Sequence, residues 1–581
     1  MQTYVPPIDD YRFLIEKVLG FDAAMRDLGR EVDGDLAIAV LDEAGRMCAE
    51  RLHPLNREGD EHGSRLIDGA VQTPPGFAAA YRDFVEAGWP SLSADTAHGG
   101  QGLPFILQLW LDEMISATNL SFGLFPGLTR GACEAIAEHA DDRLKAIYLP
   151  RMVSGEWTGA MALTESGAGT DLALLKARAV PHGDGSHAVT GTKIFISSGD
   201  HDFGGNVIHL VLARLPDAPP GVKGISLFLV PKFLPEPDGE LGQRNAMSVG
   251  ALEKKMGIHA QPTCVMNYDG AIGWLVGAPH RGLAAMFTMM NAERLMVGIQ
   301  GLGIAGGAYQ QAAAYAKERL QGRSADGARG PVAIIEHADI RRMLLRIRGF
   351  VEGGRALAGW TALQLDRARH HPDPKARLEA DGWVALLTPV IKGAFTDLGF
   401  EGAVQAQQVF GGHGYIREWG MEQYVRDARI AQIYEGTNGV QAMDLVGRKL
   451  GLRGGTVVDS LLERMASDID AAAGAPQAFK VAGASREALA LLRVATGTLK
   501  GVDGDTAGAA AVDYQRLFAL VALGWMWALM AAAADGSEQR HVGKRAVANF
   551  FGERVLAEAK GLAAGIAAGA ASTMALAADA F

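Results

Sequence analysis

The run Ile430-Ala431-Gln432-Ile433-Tyr434-Glu435-Gly436-Thr437-Asn438-Gly439-Val440-Gln441 holds a single carboxylate among apolar and small polar neighbours. A carboxylate so placed can work as a general base if it is ionised when the site is open and gains basicity once water is expelled. Apolar residues at Val440, Met443, Val446 and Leu450 recur at helical spacing, so a helix is expected to start near Val440, with Thr437 or Asn438 as its N-cap. Glu435 then stands just before a helix N-terminus, which favours the anion, while burial beside Ile433, Tyr434 and an apolar substrate raises its pKa. The competing reading makes Glu435 a surface capping residue only.

Other segments add binding chemistry. In Met161-Ala162-Leu163-Thr164-Glu165-Ser166-Gly167-Ala168-Gly169-Thr170-Asp171, glycines at 167 and 169 let main-chain amides approach an anion, and Thr164 and Thr170 add hydroxyls. Such a loop can hold a flavin pyrimidine and a pyrophosphate without a Walker lysine. An ordinary β-turn is the alternative. In Lys193-Ile194-Phe195-Ile196-Ser197-Ser198-Gly199, the aromatic Phe195 stands two residues before the hydroxyl of Ser197, and taken alone it can also be a sheet-core aromatic. The fork of Arg294, in Asn291-Ala292-Glu293-Arg294, suits phosphate oxygens, with a simple intrahelical pair to Glu as the alternative. Arg319 ends a long helical run, and Gln408-Val409-Phe410-Gly411-Gly412 closes another with a glycine C-cap. His413 is read as structural.

In this order the segments resemble those of the acyl-CoA dehydrogenase family, and the likeness extends from about residue 80 to residue 450, including Lys255-Met256-Gly257-Ile258. The resemblance implies FAD as cofactor, with Glu435 removing the α-proton of an acyl-CoA while FAD takes the β-hydrogen as hydride. It implies flavin contacts from Met161, Leu163, Thr164, Gly169, Thr170, Phe195, Ile196, Ser197, Arg319, Gln408, Gly412 and Thr437. Substrate contacts are implied for Thr170, Asn291, Arg294, Tyr434 and Gly436. The main-chain N–H of Glu435 and a ribityl hydroxyl would polarise the thioester carbonyl. Thr170 stands where the family usually has Ser, Phe195 where it has Trp, Asn291 where it has an acid, and Gly322 where an aromatic follows the Arg319 position.

The extended ends and the Tyr434–Gln441 segment resemble a branch of longer polypeptides acting on 3-(methylthio)propanoyl-CoA. Short or medium straight-chain acyl-CoAs are the alternative substrates, and an acyl-CoA oxidase or a nucleic-acid-associated flavoprotein of the same fold are the rival functions. Electron-transfer flavoprotein is the expected electron acceptor, and a homodimer the expected assembly, with a tetramer as alternative.

Positioning these groups takes several domains. A chain of 581 residues exceeds a single core, and length suggests about three or four domains. Hydrophobic residues at 48% and charged residues at 21% describe a globular chain, and a net charge of -11 argues against a general polyanion partner. Acidic and basic side chains nearly balance after Gly454, so that region lacks the excess positive charge of a nucleic-acid binder. Cys48, Cys133 and Cys264 lack metal or redox spacing, and the N-terminus lacks a secretory pattern, so a cytoplasmic location is expected with no metal site. Leu517 to Ala534 carries no charge, but Trp525 and Trp527 lie mid-run, which favours a buried bundle helix over a membrane span.

The expected fold class is α+β in five parts: an N-terminal helical extension (1–76), an N-terminal helical domain (77–158), a middle antiparallel β domain or small barrel (159–280), a C-terminal four-helix bundle carrying Glu435 (281–453) and an extra C-terminal helical domain (454–581). Helices are expected from Leu107 to Thr118 and from Gly131 to Leu149 in the first half. Strands are expected at Gly159–Leu163, His187–Ser197, Val207–Ala213, Ile225–Val230 and Thr263–Tyr268, separated by turn residues. Bundle helices are expected at Leu283–Leu320, Ile335–Ala368 and Asp381–Phe410, the first with glycines at 298, 301, 303, 306 and 307 that permit close helix approach.

Overall fold

The computed structural model describes residues 3–236 and 240–581. Met1 and Gln2 of the N-terminal stretch, and residues 237–239 of the middle domain, lie outside the described residues. The contacts divide the chain into two compact units. One comprises Met47–Leu103 and Asn119–Met296; the other comprises the residues up to Arg46 together with Pro104–Thr118 and Val297–Phe581.

The first unit is built on a seven-stranded sheet. Strands Thr263–Val276, His187–Ser197, Arg178–Pro181, Asn206–Arg214 and Ile225–Pro231 pair in a closed ring, with Met247–Leu252 and Trp157–Ala162 added at its edges. Pairing is antiparallel except that Asn206–Arg214 runs parallel to Trp157–Ala162 and, at one residue pair, to Arg178–Pro181. Asn206–Ala213 and Ile225–Pro231 are buried at every residue, which is why both read as unbroken apolar runs rather than alternating ones.

Register matters at one place. Along His187–Ser197, Ile196 faces Cys264 and Lys193 faces Met266, so Ile194 and Phe195 together oppose the single residue Val265. This is a β-bulge, and Phe195 adopts φ 61 within it. The left-handed backbone turns the ring outward, and Phe195, two residues before the strand's end, is 59% exposed.

The second unit is helical. Its long elements are Gly282–Glu318 from Val297 onward, Ala338–His370 and Pro374–Val409, followed by Met421–Arg429 and Asn438–Asp444. Glycines set the closeness of packing: a Cβ on Gly298 would lie 2.5 Å from Ile391 Cγ2, and one on Gly301 2.5 Å from the Phe395 carbonyl. Helices after Gly455 pack in the same unit. Gln515 Nε2 donates to the Pro389 carbonyl at 2.9 Å, and Arg516 grips Glu401 at 2.5 and 3.0 Å. The apolar run at Leu517–Ala534 fills the C-terminal part of the helix Gly504–Ala533 up to its C-cap, Ala534; 78% of the helix's most apolar window is buried, and Trp525 and Trp527 are fully enclosed.

Some boundaries differ from the expectation. The stretch read as two helices, Leu107–Thr118 and Gly131–Leu149, is Phe105–His139 with a break at Asn119, then Asp142–Ser154 capped by Asp141. Thr263–Tyr268 extends to Val276 because Asp269-Gly270 forms a bulge, not a turn that ends the strand.

Candidate active site

In the helical unit, Glu435 follows a short 3-10 turn, Ile430–Gln432, and precedes the helix Asn438–Asp444. Thr437 is the N-cap, its Oγ1 accepting from the Val440 N–H at 3.3 Å. Glu435 and Gly436 both have left-handed backbone, at φ 56 and φ 83. For Glu this costs about 1–2 kcal/mol, so the surrounding structure must hold it. Gln441 Nε2 donates to the Glu435 carbonyl at 3.1 Å, and Lys392 Nζ donates to the Gly436 carbonyl at 2.7 Å and to Asn438 Oδ1 at 2.9 Å. Asn438 Nδ2 reaches Asp397 Oδ1 at 2.7 Å, and Asp397 also accepts from Gln432 Nε2 at 2.6 Å. The Tyr434 hydroxyl donates to Gln300 Oε1. The main chain at Glu435 and Gly436 is therefore held by Gln441 of the short following helix and Lys392 of a long one, the Tyr434 side chain adds a tie to a second long helix, and Glu435 itself is half-buried.

The same unit carries the other cofactor candidates. Arg319 follows the helix Gly282–Glu318, its side chain exposed. One turn earlier, Tyr315 stacks on Phe410 at 4.1 Å and bonds His413 Nδ1 at 2.9 Å. His413 in turn stacks on Trp419 at 4.5 Å. This packing brings the end of one helix beside Gln408 and Gly412 at the end of another; both are exposed, and a Cβ on Gly412 would meet nothing within 4 Å.

In the barrel unit, Met161 lies on the strand Trp157–Ala162 and Leu163 and Thr164 follow it; Leu163 is buried, and Met161 and Thr164 are half-buried. The following turn is joined by main-chain bonds between Glu165 and Ala168, at 3.0 Å each way. Ser166, Gly167, Gly169 and Thr170 are exposed, and their N–H groups enter no main-chain hydrogen bond among the described residues. Beneath the turn, Glu165 accepts from Lys193 Nζ at 2.8 Å and from the N–H groups of Lys176 and Ala177 at 2.7 and 3.0 Å. Burial opposes the Glu165 charge, but these donors outweigh it and its pKa falls below the usual value. Burial pushes the Lys193 pKa down to about 8, against the pull of Glu165, so the pair is ionised at neutral pH. Lys193 Nζ also donates to the Leu163 carbonyl at 3.0 Å, tying the loop to the strand that carries Phe195, buried Ile196 and half-buried Ser197. An outward aromatic face with free-standing N–H groups and hydroxyls fits a flavin's flat ring, polar edge and phosphates. Asn291 is exposed in this unit; Arg294 is buried, donates to Asn291 Oδ1 at 3.2 Å and lies over the Phe287 ring.

Several of these groups escaped the sequence reading. Lys392, Asp397, Gln441 and Gln300 lie far from Glu435 in the chain or carry no motif, and nothing in the sequence pairs Glu165 with Lys193. A lysine inside an otherwise apolar helix was the available signal for Lys392.

Acyl-CoA dehydrogenase family models match along the chain: the N-terminal domain over residues 37–156, the middle domain over 160–271 and the C-terminal domain over 280–450, with an acetyl-CoA dehydrogenase C-terminal-like model over 461–577. This chain belongs to the acyl-CoA dehydrogenase family. It is 43% identical over 96% of both chains to a 3-methylmercaptopropionyl-CoA dehydrogenase of Ruegeria pomeroyi. It is 32% identical, again over 96% of both, to a broad-specificity linear acyl-CoA dehydrogenase of Mycobacterium tuberculosis. The fold of an acyl-CoA dehydrogenase from Bacillus anthracis, solved with FAD, matches with a TM-score of 0.75 at 19% identity over 95% of this chain and 91% of that one. As an acyl-CoA dehydrogenase, the chain is an FAD-dependent oxidoreductase.

Proposed function

We propose that this acyl-CoA dehydrogenase uses Glu435 as the base that removes the α-proton of the thioester, with 3-(methylthio)propanoyl-CoA as substrate. The observation that carries the base assignment is the clamped left-handed turn: strain at Glu435 is maintained by bonds to the carbonyls of Glu435 and Gly436, which fits a group whose direction matters. FAD supplies hydride acceptance from the β-carbon when bound. The chain's own residues do the rest. The main-chain N–H of Glu435 polarises the thioester carbonyl, so that the α C–H, barely acidic by itself, can release its proton to the Glu435 carboxylate. Phe195 and the loop from Met161 to Thr170 hold the flavin, with Arg319, Gln408, Gly412 and Thr437. Asn291, with Arg294 behind it, serves the CoA portion, and Tyr434 and Gly436 border the acyl group.

The substrate reading rests on the Ruegeria pomeroyi relative. A straight-chain acyl-CoA is the second reading, favoured by the equally long match to the broad-specificity linear enzyme. We place the enzyme in the cytoplasm as a homodimer that passes electrons to electron-transfer flavoprotein. Anaerobic titration with a panel of acyl-CoAs, watching flavin bleaching, tests the substrate: fastest bleaching by 3-(methylthio)propanoyl-CoA supports it, and faster bleaching by butanoyl- or octanoyl-CoA overturns it.

A further inference from the structure

Lys392 lies in the middle of the helix Pro374–Val409 and is 0% exposed. An ammonium taken fully out of water is costly unless its donors are satisfied. Two of its bonds end at the Glu435 turn, on the Gly436 carbonyl and on the Asn438 side chain. The Asn438 amide donates onward to the Gly393 carbonyl at 3.0 Å, to Thr396 Oγ1 at 2.9 Å and to Asp397. Lys392 and Asn438 thus form a bridge between one helix and the first residues of the next.

The geometry assigns Lys392 as a positioning residue for Glu435, an inference that rests on Glu435 being the base. Glu435 and Gly436 are successive left-handed residues, and a side-chain donor holds the peptide plane on each side of Gly436. Gln441 fixes the carbonyl of Glu435, and Lys392 fixes that of Gly436. A Cβ on Gly436 would come within 2.8 Å of Gln441 Nε2, so the turn has no slack on that side. If the Lys392 clamp is removed, the Gly436 plane can rotate and carry the Glu435 carboxylate away from its direction. A displacement of about 1 Å at a reacting group costs on the order of 100-fold in rate. Lys392 itself is not among the residues assigned to substrate or flavin, so its loss is expected to weigh on kcat more than on KM.

The test uses full-length, FAD-loaded Lys392→Met and Asn438→Ala, with Glu435→Gln in parallel, and with 3-(methylthio)propanoyl-CoA or butanoyl-CoA as substrate. The expected result for both bridge variants is a fall in kcat of about 10- to 100-fold, KM within about threefold of wild type, unchanged flavin content, and a larger isotope effect on kcat with α-dideuterated substrate. Unchanged kcat per bound flavin and an unchanged isotope effect overturn the positioning role, even if the melting temperature falls. Should Lys392→Met not fold, Asn438→Ala decides by the same readouts. Turnover retained in Glu435→Gln overturns the base assignment itself. Its loss there, with normal kcat in the bridge variants, overturns the positioning role alone.

Discussion

Lys193 and Glu165 form an ion pair of 2.8 Å beneath the turn at Ser166–Gly169, and the lysine side chain is completely enclosed. The pair joins the loop with outward N–H groups to the strand whose bulge presents Phe195. Lys193→Met leaves the Glu165 carboxylate buried with only main-chain donors. A loss of buried-pair type, on the order of 3–5 kcal/mol, is expected, together with a lower flavin content after purification. Urea unfolding and the ratio of absorbance at the flavin and protein bands check both. A variant with wild-type stability and full flavin would show that the pair holds nothing in place.

Phe195 separates stability from cofactor binding. Its left-handed backbone costs about 1–2 kcal/mol for any residue with a Cβ, and its ring is mostly in water. Phe195→Gly is therefore expected to leave the flavin-free protein as stable as wild type or more so, while weakening FAD about tenfold or more through the lost ring contact. Fluorescence titration with FAD and thermal melting of the stripped protein measure the two effects. Unchanged FAD affinity contradicts the stacking role.

Two histidines set an acid limit. Burial pushes the pKa of His201 down to about 3 and that of His209 to about 4; His209 is held by the Tyr268 hydroxyl at 2.7 Å and the Gly199 carbonyl at 2.8 Å. The unfolded chain takes up these protons near pH 6.5, so it binds more protons than the folded chain between pH 6.5 and about 4. Stability is full above pH 6.5 and is lost as pH falls through that window, by about 1.4 kcal/mol per pH unit for each imidazole. Urea midpoints from pH 7 to pH 5 should fall steeply, and His209→Gln should flatten the slope. A flat wild-type profile would contradict the burial of neutral imidazoles.

A charged cluster in the helical unit offers a contrast. Arg355, buried, bonds Glu113 at 2.5 to 3.1 Å and also Asp10, which is bonded by Lys544. Arg355→Leu alone should cost about 3–5 kcal/mol by leaving Glu113 buried beside a lost partner. Adding Glu113→Leu should recover part of that loss. A double-mutant cycle by urea unfolding measures the coupling, and strict additivity would contradict it.

The legible parts were those that local pattern decides. His187–Ser197 is bounded correctly because turn residues flank it, and one segment narrows the N-cap to Thr437 or Asn438, of which the structure uses Thr437. Arg178–Pro181 and Met247–Leu252 escaped because their exposed residues carry no apolar run. The helix end at Thr118 is legible, since the backbone leaves helical geometry at Asn119, but the helix that resumes after it does not show before Gly131, because its apolar residues surround the axis and leave no stripe to follow through Pro126. For the site, the carboxylate and the loop were visible, while what orients them was not. Lys392 meets Gly436 from 44 residues earlier in the chain, and no periodicity encodes such a meeting.

The most direct measurement mixes Glu435→Gln anaerobically with 3-(methylthio)propanoyl-CoA in a stopped-flow spectrometer, beside the wild type. Retained yellow flavin, formation of the complex and bleaching slower by at least about 1,000-fold are the predicted outcome for a missing general base. Bleaching at a rate close to that of the wild type would contradict the account.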